Sequence, residues 1–393
     1  MTKKRRNLFC ARILCASILF SLAAPVSAEE TASAVSVEAP EYVLMEPETG
    51  TVILEKDKDV PRSPASITKV MTLLLIFEEI EKGNLKLDDT VITSAHAKSM
   101  GGSQVFLEEG ETQTVETMIK CIVIASGNDA SVAMAEHIAG NEPEFVNAMN
   151  KKAQALGMKN THFVDCCGLT DSDDHYTTAY DIALMSRELI RKYPEILNYS
   201  SVWMDTITHN TRQGSKEFGL SNTNRLIRTY EGCVGLKTGS TSKAKFCVSA
   251  VAKRKGITLI AVVMAAPDSR TRVKDASMLF DYGFAKCSLY TDENPGKLPD
   301  LKVIKGIKEK TTLTFGKTFR CLSTDGTTFD KIKKKLILPN EVKAPVKKGQ
   351  KAGELVYYQE NRELGRIPVI YAENVKKAGY LDRLKQTAEE FCL

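Results

Sequence analysis

Pro64-Ala65-Ser66-Ile67-Thr68-Lys69-Val70-Met71-Thr72-Leu73-Leu74-Leu75-Ile76-Phe77-Glu78-Glu79-Ile80-Glu81 is the stretch on which the reading turns. Val70, Leu73, Leu74, Phe77 and Ile80 recur at helical spacing, which predicts an amphipathic helix over Ser66 to Glu81. Ser66 and Lys69 then lie one turn apart on the same face at its N-terminus. A hydroxyl placed there sits near free backbone N–H groups and the positive end of the helix. An ordinary helix start, with a capping hydroxyl and a solvated lysine, has the same local pattern, so the surrounding chain must decide.

Working outward, Tyr42-Val43-Leu44-Met45 and Thr51-Val52-Ile53-Leu54 flank a Pro/Gly-containing turn and read as a hairpin. Thr114 to Ala139 is helical in pattern but interrupted at Ser126-Gly127-Asn128, and Thr178 to Lys192 is another helix. Phe246 to Ala252 and Ile257 to Met264, joined by Lys253-Arg254-Lys255-Gly256, form the clearest antiparallel hairpin, followed by a helix over Lys274 to Phe284. Strands at both ends with helices between imply an α/β (α+β) domain whose antiparallel sheet is assembled from distant segments and flanked by helices. Beyond about Tyr290 the texture changes to short β-prone runs, such as Thr311-Thr312-Leu313-Thr314-Phe315 and Leu355-Val356-Tyr357-Tyr358, separated by turn signals. A separate small all-β domain ending near Tyr371 is expected, and there is no internal repeat.

The amino terminus bears on where any chemistry takes place. Lys3, Lys4, Arg5 and Arg6 precede an apolar run from Ile13 to Ala24, and Val26-Ser27-Ala28 offers small residues for cleavage, the pattern of a secretory signal peptide. The run falls short of the roughly 20 residues of a membrane span. The expected organisation is a signal peptide over 1–28, a catalytic domain over 29–288, a β-rich domain over 289–372 and an amphipathic helix over 373–393. The expected location is extracytoplasmic.

Removing residues 1–28 takes five basic side chains and no acidic ones from a chain of formal charge +5, so the mature chain is neutral and nothing in its charge suggests nucleic acid. Lys297 to Lys351 nonetheless carries fifteen basic residues against five acidic ones; this is either a solvated face or a surface for anionic lipid or wall polymer. Cys10 and Cys15 leave with the signal, whereas Cys121, Cys166, Cys167, Cys233, Cys247, Cys287, Cys321 and Cys392 stay. An even count in an exported chain invites disulfides, yet a chain this long buries a core without staples, and several of these cysteines sit in apolar runs where a thiol packs as a small hydrophobe.

Three short motifs occur in order: Ser66-Ile67-Thr68-Lys69, Ser126-Gly127-Asn128 and Lys237-Thr238-Gly239. Together they supply the parts of one reaction. A serine nucleophile needs a base, a pair of donors for the oxyanion and an acid for the leaving amine. Of His96, His137, His162, His175 and His209, none stands in a nucleophile-elbow frame, so Lys69 is the economical base. It must be neutral near neutral pH, which burial and a second cation such as Lys237 can achieve. Gly232, Gly235 and Gly239 around the third motif read either as a loop feeding the hairpin or as a strand edge open to close approach by a substrate backbone.

In this order and spacing, with Ala125-Ser126-Gly127-Asn128-Asp129-Ala130 around the second motif, the chain resembles the low-molecular-mass penicillin-binding proteins, in particular the serine D-Ala-D-Ala carboxypeptidases of the type-5 and sporulation-associated kind. The likeness extends to Gly101-Gly102-Ser103-Gln104-Val105-Phe106-Leu107, to His175-Tyr176-Thr177-Thr178-Ala179-Tyr180-Asp181 and to Tyr282-Gly283-Phe284. It implies a β-lactamase/transpeptidase-like catalytic domain, a peptidoglycan stem peptide ending in D-Ala-D-Ala as substrate, acylation by β-lactam antibiotics, and neither cofactor nor metal. It makes Ser66 the nucleophile, Lys69 its base, Ser126 a proton relay to the departing D-alanine and Asn128 a residue that orients substrate and Lys69. Lys237, Thr238 and Gly239 would line the place of the substrate's terminal carboxylate, with Arg272 as electrostatic helper and Arg270 a close competitor. The N–H groups of Ser66 and Ser240 would form the oxyanion hole.

Two departures stand out: Asp165-Cys166-Cys167-Gly168-Leu169 replaces an Asn-Pro-His-Gly-Leu-like stretch, and Ser240 replaces a frequent histidine. Both are expected to lie outside the core chemistry. His162, Cys166, Cys167 and His175 could be gathered into a metal site, but adjacent cysteines seldom converge on one tetrahedral ion. A β-lactamase-like hydrolase needs a carboxylate to activate water; Glu195-Ile196-Leu197-Asn198 is one residue short of the usual loop and reads as structural. A silent wall-binding or β-lactam-sensing protein would carry a broken motif, and all three are intact. At the carboxy terminus Leu381, Leu384, Ala388 and Phe391 share a helical face beside Lys376, Lys377, Arg383 and Lys385, suited either to weak contact with a membrane surface or to docking on the protein itself.

Overall fold

The computed structural model describes residues 35–211 and 214–391. The signal-peptide expectation and Cys392 lie outside these residues. Labels below cover the elements that frame the site. The catalytic part is built on strands β1 (Glu41–Glu46), β2 (Thr51–Lys56), β5 (Cys233–Thr241), β6 (Lys245–Arg254) and β7 (Ile257–Ala266), in spatial order β2-β1-β7-β6-β5. All neighbours pair antiparallel, so the amino-terminal hairpin is joined to the later strands through β1 and β7.

Both faces of this sheet are covered, which explains why its central strands are almost continuously apolar. Val43, Met45, Val251, Ile260, Val262 and Met264 face a core shared with helices α1 (Lys69–Glu81), α2 (Val115–Val123), α3 (Asn128–Ala139) and α4 (Ala179–Lys192). The alternate residues, Leu44, Val248, Ala250, Leu259, Ala261 and Val263, face Ala276, Leu279 and Phe280 of α5 (Ser269–Lys286). Gly283 lets α5 approach closely, since a Cβ there would lie 2.7 Å from Leu259 and 2.8 Å from Leu44.

Two sequence expectations are revised and one open alternative is decided. Ser66 lies not in the α-helix but in a 3-10 turn over Ala65–Thr68 that leads into α1. The helix expected from Lys274 begins at Ser269, because the Asp268 carboxylate accepts the N–H groups of Arg270 and Thr271 and adds a first turn that its apolar pattern does not announce. Of the two readings of the glycines around Lys237-Thr238-Gly239, the strand edge holds: the motif is part of β5, the sheet's edge strand. A hairpin of β3 (Met204–Thr211) and β4 (Gly214–Ser221) was not legible in the mixed polar sequence.

The carboxy-terminal part is all-β. Its larger sheet runs in the order Leu313–Phe315, Arg362–Tyr371, Lys351–Gln359, Lys333–Ile337, around a core where Phe319 and Tyr357 stack with centroids 3.7 Å apart. The buried Tyr357 hydroxyl donates to Asp292 at 2.8 Å, and Lys334 closes the same network. Helix α6 (Tyr380–Phe391) follows, with Tyr380, Leu381 and Leu384 exposed. Among the described residues all seven cysteines are free thiols, six of them buried.

Candidate active site

The 3-10 turn presents Ser66 beside the middle of the edge strand. A Cβ on Gly239 would lie 3.0 Å from the Ser66 nitrogen and 2.7 Å from Pro64 O, so only glycine lets β5 run this close to the serine. From the other side, Gly168 (φ +77°) sits so near Ala65 that a Cβ would lie 1.8 Å from Ala65 O. Ala65 itself has φ +49°, and Ser126 has φ +62°, both unusual for residues with a side chain.

Lys69 is completely buried, with Nζ 3.1 Å from Ser66 Oγ, 2.6 Å from Asn128 Oδ1 and 2.8 Å from the Cys167 carbonyl. Burial holds its ammonium pKa below the ordinary 10.5 against the partial opposition of nearby acidic groups. In the neutral amine two N–H bonds go to Asn128 Oδ1 and Cys167 O, and the remaining lone pair faces the Ser66 hydroxyl. The valences close with no donor wasted.

The segment from Cys166 to Leu169 corrects the sequence reading: it does enter the core of the site, through its backbone. The Asp165 carboxylate accepts the N–H groups of Cys167, Gly168 and Thr170, while Thr72 Oγ1 donates to Cys166 O at 2.5 Å. Burial pushes this carboxyl up, but His175 and those three N–H groups outweigh it and hold it below its ordinary value. His175 is engaged with Thr68 Oγ1 at 2.8 Å and the Val164 N–H at 3.1 Å, and His162 with Asp174 O. Any side chain with the same backbone would present the carbonyl that Cys167 presents to Lys69, which is why residue identity did not reveal it.

Ser126 ends the break between α2 and α3, and Lys237 Nζ donates to its Oγ at 2.9 Å and to Thr238 O at 3.0 Å. Burial pushes the Lys237 pKa well below its ordinary value, with the charges of Lys69 and Arg272 adding to the effect. Thr238 Oγ1 is 2.6 Å from Thr223 Oγ1, and Ser240 is exposed one residue beyond Gly239. Arg272 is buried, with Nη1 donating to Cys247 O at 3.3 Å and its guanidinium over Phe246, whereas Arg270 is exposed at the start of α5. Glu195 is exposed ahead of a short helix. The structure thus brings Ser66, Lys69 and Asn128 into one set of contacts and Ser126, Lys237 and Thr238 into a second, with Gly239 joining the edge strand to the serine.

A family model described as D-alanyl-D-alanine carboxypeptidase matches residues 28–268, and one described as penicillin-binding protein 5, C-terminal domain, matches 292–377. D-alanyl-D-alanine carboxypeptidase DacF of Bacillus subtilis is 43% identical over 89% of this chain and 89% of its own length. DacA of Escherichia coli is 30% identical over 88% and 86%. The crystal structure of penicillin binding protein 5 from Haemophilus influenzae superposes with a TM-score of 0.65 at 29% identity, covering 87% of this chain and 98% of that one. The chain therefore belongs to the D-alanyl-D-alanine carboxypeptidase family, with a catalytic domain of that family followed by its all-β carboxy-terminal domain.

Proposed function

We propose that this protein removes the terminal D-alanine from peptidoglycan stem peptides through an acyl-enzyme on Ser66, and that β-lactams acylate the same serine. The observation that carries the reading is the Lys69 amine held between Ser66 Oγ, Asn128 Oδ1 and Cys167 O. Ser66 Oγ attacks the carbonyl carbon of the penultimate D-alanine while its proton passes to Lys69 Nζ. The N–H groups of Ser66 and Ser240 receive the oxyanion. As the C–N bond breaks, Ser126 relays a proton to the departing amine, and Lys237 and Thr238 hold the terminal carboxylate with Arg272 as electrostatic helper. Water then attacks the ester, its proton returns through Lys69, and Ser66 is regenerated.

Incubation with a diacyl-D-Ala-D-Ala peptide and with fluorescent penicillin tests this. Ser66→Ala should abolish both D-alanine release and labelling, whereas Ser126→Ala should slow turnover by about 10²–10⁴, the range for general acid catalysis, and still accumulate adduct. Labelling that survives Ser66→Ala refutes the assignment.

The same reading places the protein outside the cytoplasmic membrane after cleavage following Ala28, with the catalytic domain over 29–288 and the β-rich domain over 289–372. Weak membrane contact through 373–393 is supported by the exposed Leu381 and Leu384 on α6. Unchanged sedimentation with anionic vesicles after truncation at Val375 refutes that contact.

A further inference from the structure

A groove of about 430 Å³ lies between the loop that carries Phe106 and the β3–β4 hairpin. Phe106 is 63% exposed although it has φ +62°, a conformation that a bulky side chain adopts only when held there. The holding group is the buried Asp129, whose carboxylate accepts the N–H groups of Val105 and Leu107 on either side of it. Asp129 follows Asn128, and Asn128 binds the same loop through Gly101 O and Ser103 O. The loop that turns the Phe106 ring outward is therefore anchored directly on the site.

The opposite wall is equally specific. Phe218 meets Phe106 edge-to-face with centroids 5.8 Å apart, and His209 packs against Phe218. His209 Nδ1 lies 2.8 Å from a carboxylate oxygen of the buried Glu111, an acceptor only, so the neutral ring carries its proton on Nδ1 and Nε2 is left as an acceptor. Nε2 is buried and has no partner among the described residues, and His209 is only 8% exposed. Lys216 stands opposite His209 in the hairpin register and has no ion-pair partner among the described residues.

We propose that this groove binds the part of the stem peptide upstream of the scissile bond: an extended segment whose methylenes lie against Phe106 and Phe218, braced from behind by His209, and whose free carboxylate meets Lys216. It rests on the D-alanine-releasing function proposed above. The terminal carboxylate is assigned to Lys237 and Thr238, with Arg272 as electrostatic helper, so the chain on the other side of the reacting carbonyl continues past Asn128 toward Phe106.

The test compares kcat/KM for D-alanine release from L-Ala-γ-D-Glu-L-Lys-D-Ala-D-Ala, from the same peptide with the glutamate carboxylate amidated, and from diacetyl-L-Lys-D-Ala-D-Ala. The wild-type protein should favour the longest free-carboxylate peptide by about tenfold or more, as remote contacts are used at the reacting centre. Phe106→Ala should collapse the long-to-short ratio toward one, and Lys216→Gln should remove the preference for the free carboxylate over its amide. Equal rates for long and short peptides in the wild-type protein, or equal losses on both in Phe106→Ala, overturn the groove. Penicillin labelling reports folding; if Phe106→Ala fails to label, Lys216→Gln decides. No D-alanine from any peptide, with labelling intact, refutes the proposed function itself and the groove with it.

Discussion

Replacing Asn128 by aspartate places a carboxylate oxygen where the amide oxygen now lies 2.6 Å from Lys69 Nζ. In the proposed mechanism the neutral amine is the base, so the size of the effect follows from how strongly the new charge retains the proton. Unit charges about 4 Å apart interact by about 4 kcal/mol at an effective dielectric near 20, equivalent to about three pKa units. The new carboxylate is itself buried and faces Gly101 O, the present acceptor of the Asn128 Nδ2 bond, so desolvation and repulsion oppose its ionisation. The net displacement is therefore upward but smaller than that limit, and acylation near neutral pH should be about 10 to 100 times slower. The assay is the second-order rate of fluorescent-penicillin labelling followed from about pH 6 to 10. Burial lowers the Lys69 pKa in the wild-type protein, so its rate rises with pH through a midpoint below 10.5. The Asn128→Asp profile should rise through a higher midpoint and recover much of the loss in alkali. A uniform loss with an unmoved midpoint refutes the coupling of Asn128 to the base, and a midpoint displaced downward refutes Lys69 as that base.

Arg272→Gln removes a buried cation that acts electrostatically on Lys237; kcat/KM for a carboxylate-terminated peptide should fall by about tenfold or more while the already poor reaction of its amide changes little, and an equal loss on both would assign Arg272 to structure alone. Gly168→Ala introduces a Cβ 1.8 Å from Ala65 O at φ +77°, so thermal unfolding should register a loss of about 3 kcal/mol or more, with labelling slowed in the fraction that folds. Lys69 and Lys237 have folded-state pKa values below that of the unfolded chain, so below 10.5 and above those values the unfolded state binds the extra protons and stability falls as pH drops. Lys69→Met should make denaturant-derived stability less dependent on pH by up to about 1.4 kcal/mol per pH unit, and an unchanged slope would show that Lys69 keeps its proton on folding.

The parts of the fold that were legible are those where one physical signal dominates. Central strands β6 and β7 are apolar because both their faces are covered, α4 keeps an apolar stripe because one face meets that sheet, and α1 is buried on every side from Lys69 to Phe77, more deeply than an amphipathic pattern implies. The start of α5 was misjudged because its first turn is Ser269-Arg270-Thr271-Arg272, polar in composition and fixed by one capping carboxylate. Strand β5 stayed open between loop and strand edge because its glycines, which suit a loop, are there to let Gly239 pass Ser66 and Gly235 pass Ser200. In the site, the reactive side chains announce themselves by type and spacing, whereas the Cys167 carbonyl and the Asp165 carboxylate that fixes it act through the backbone and leave no compositional trace.

The two buried lysines also explain each other. Both are poorly solvated, which depresses the pKa of each, and the charges of Lys69 and Arg272 depress that of Lys237 further. Lys69 has the complete set of partners for a neutral amine: two acceptors for its N–H bonds and a hydroxyl for its lone pair. Lys237 donates to Ser126 Oγ and Thr238 O, which as an ammonium leaves a third N–H free for an incoming anion. A substrate that ends in a carboxylate brings the charge that favours the proton on Lys237, and the resulting cation in turn favours the neutral form of Lys69. In the proposed mechanism, binding the correct end group therefore prepares the base for proton transfer, and an amide-terminated peptide should fail in chemistry as well as in binding.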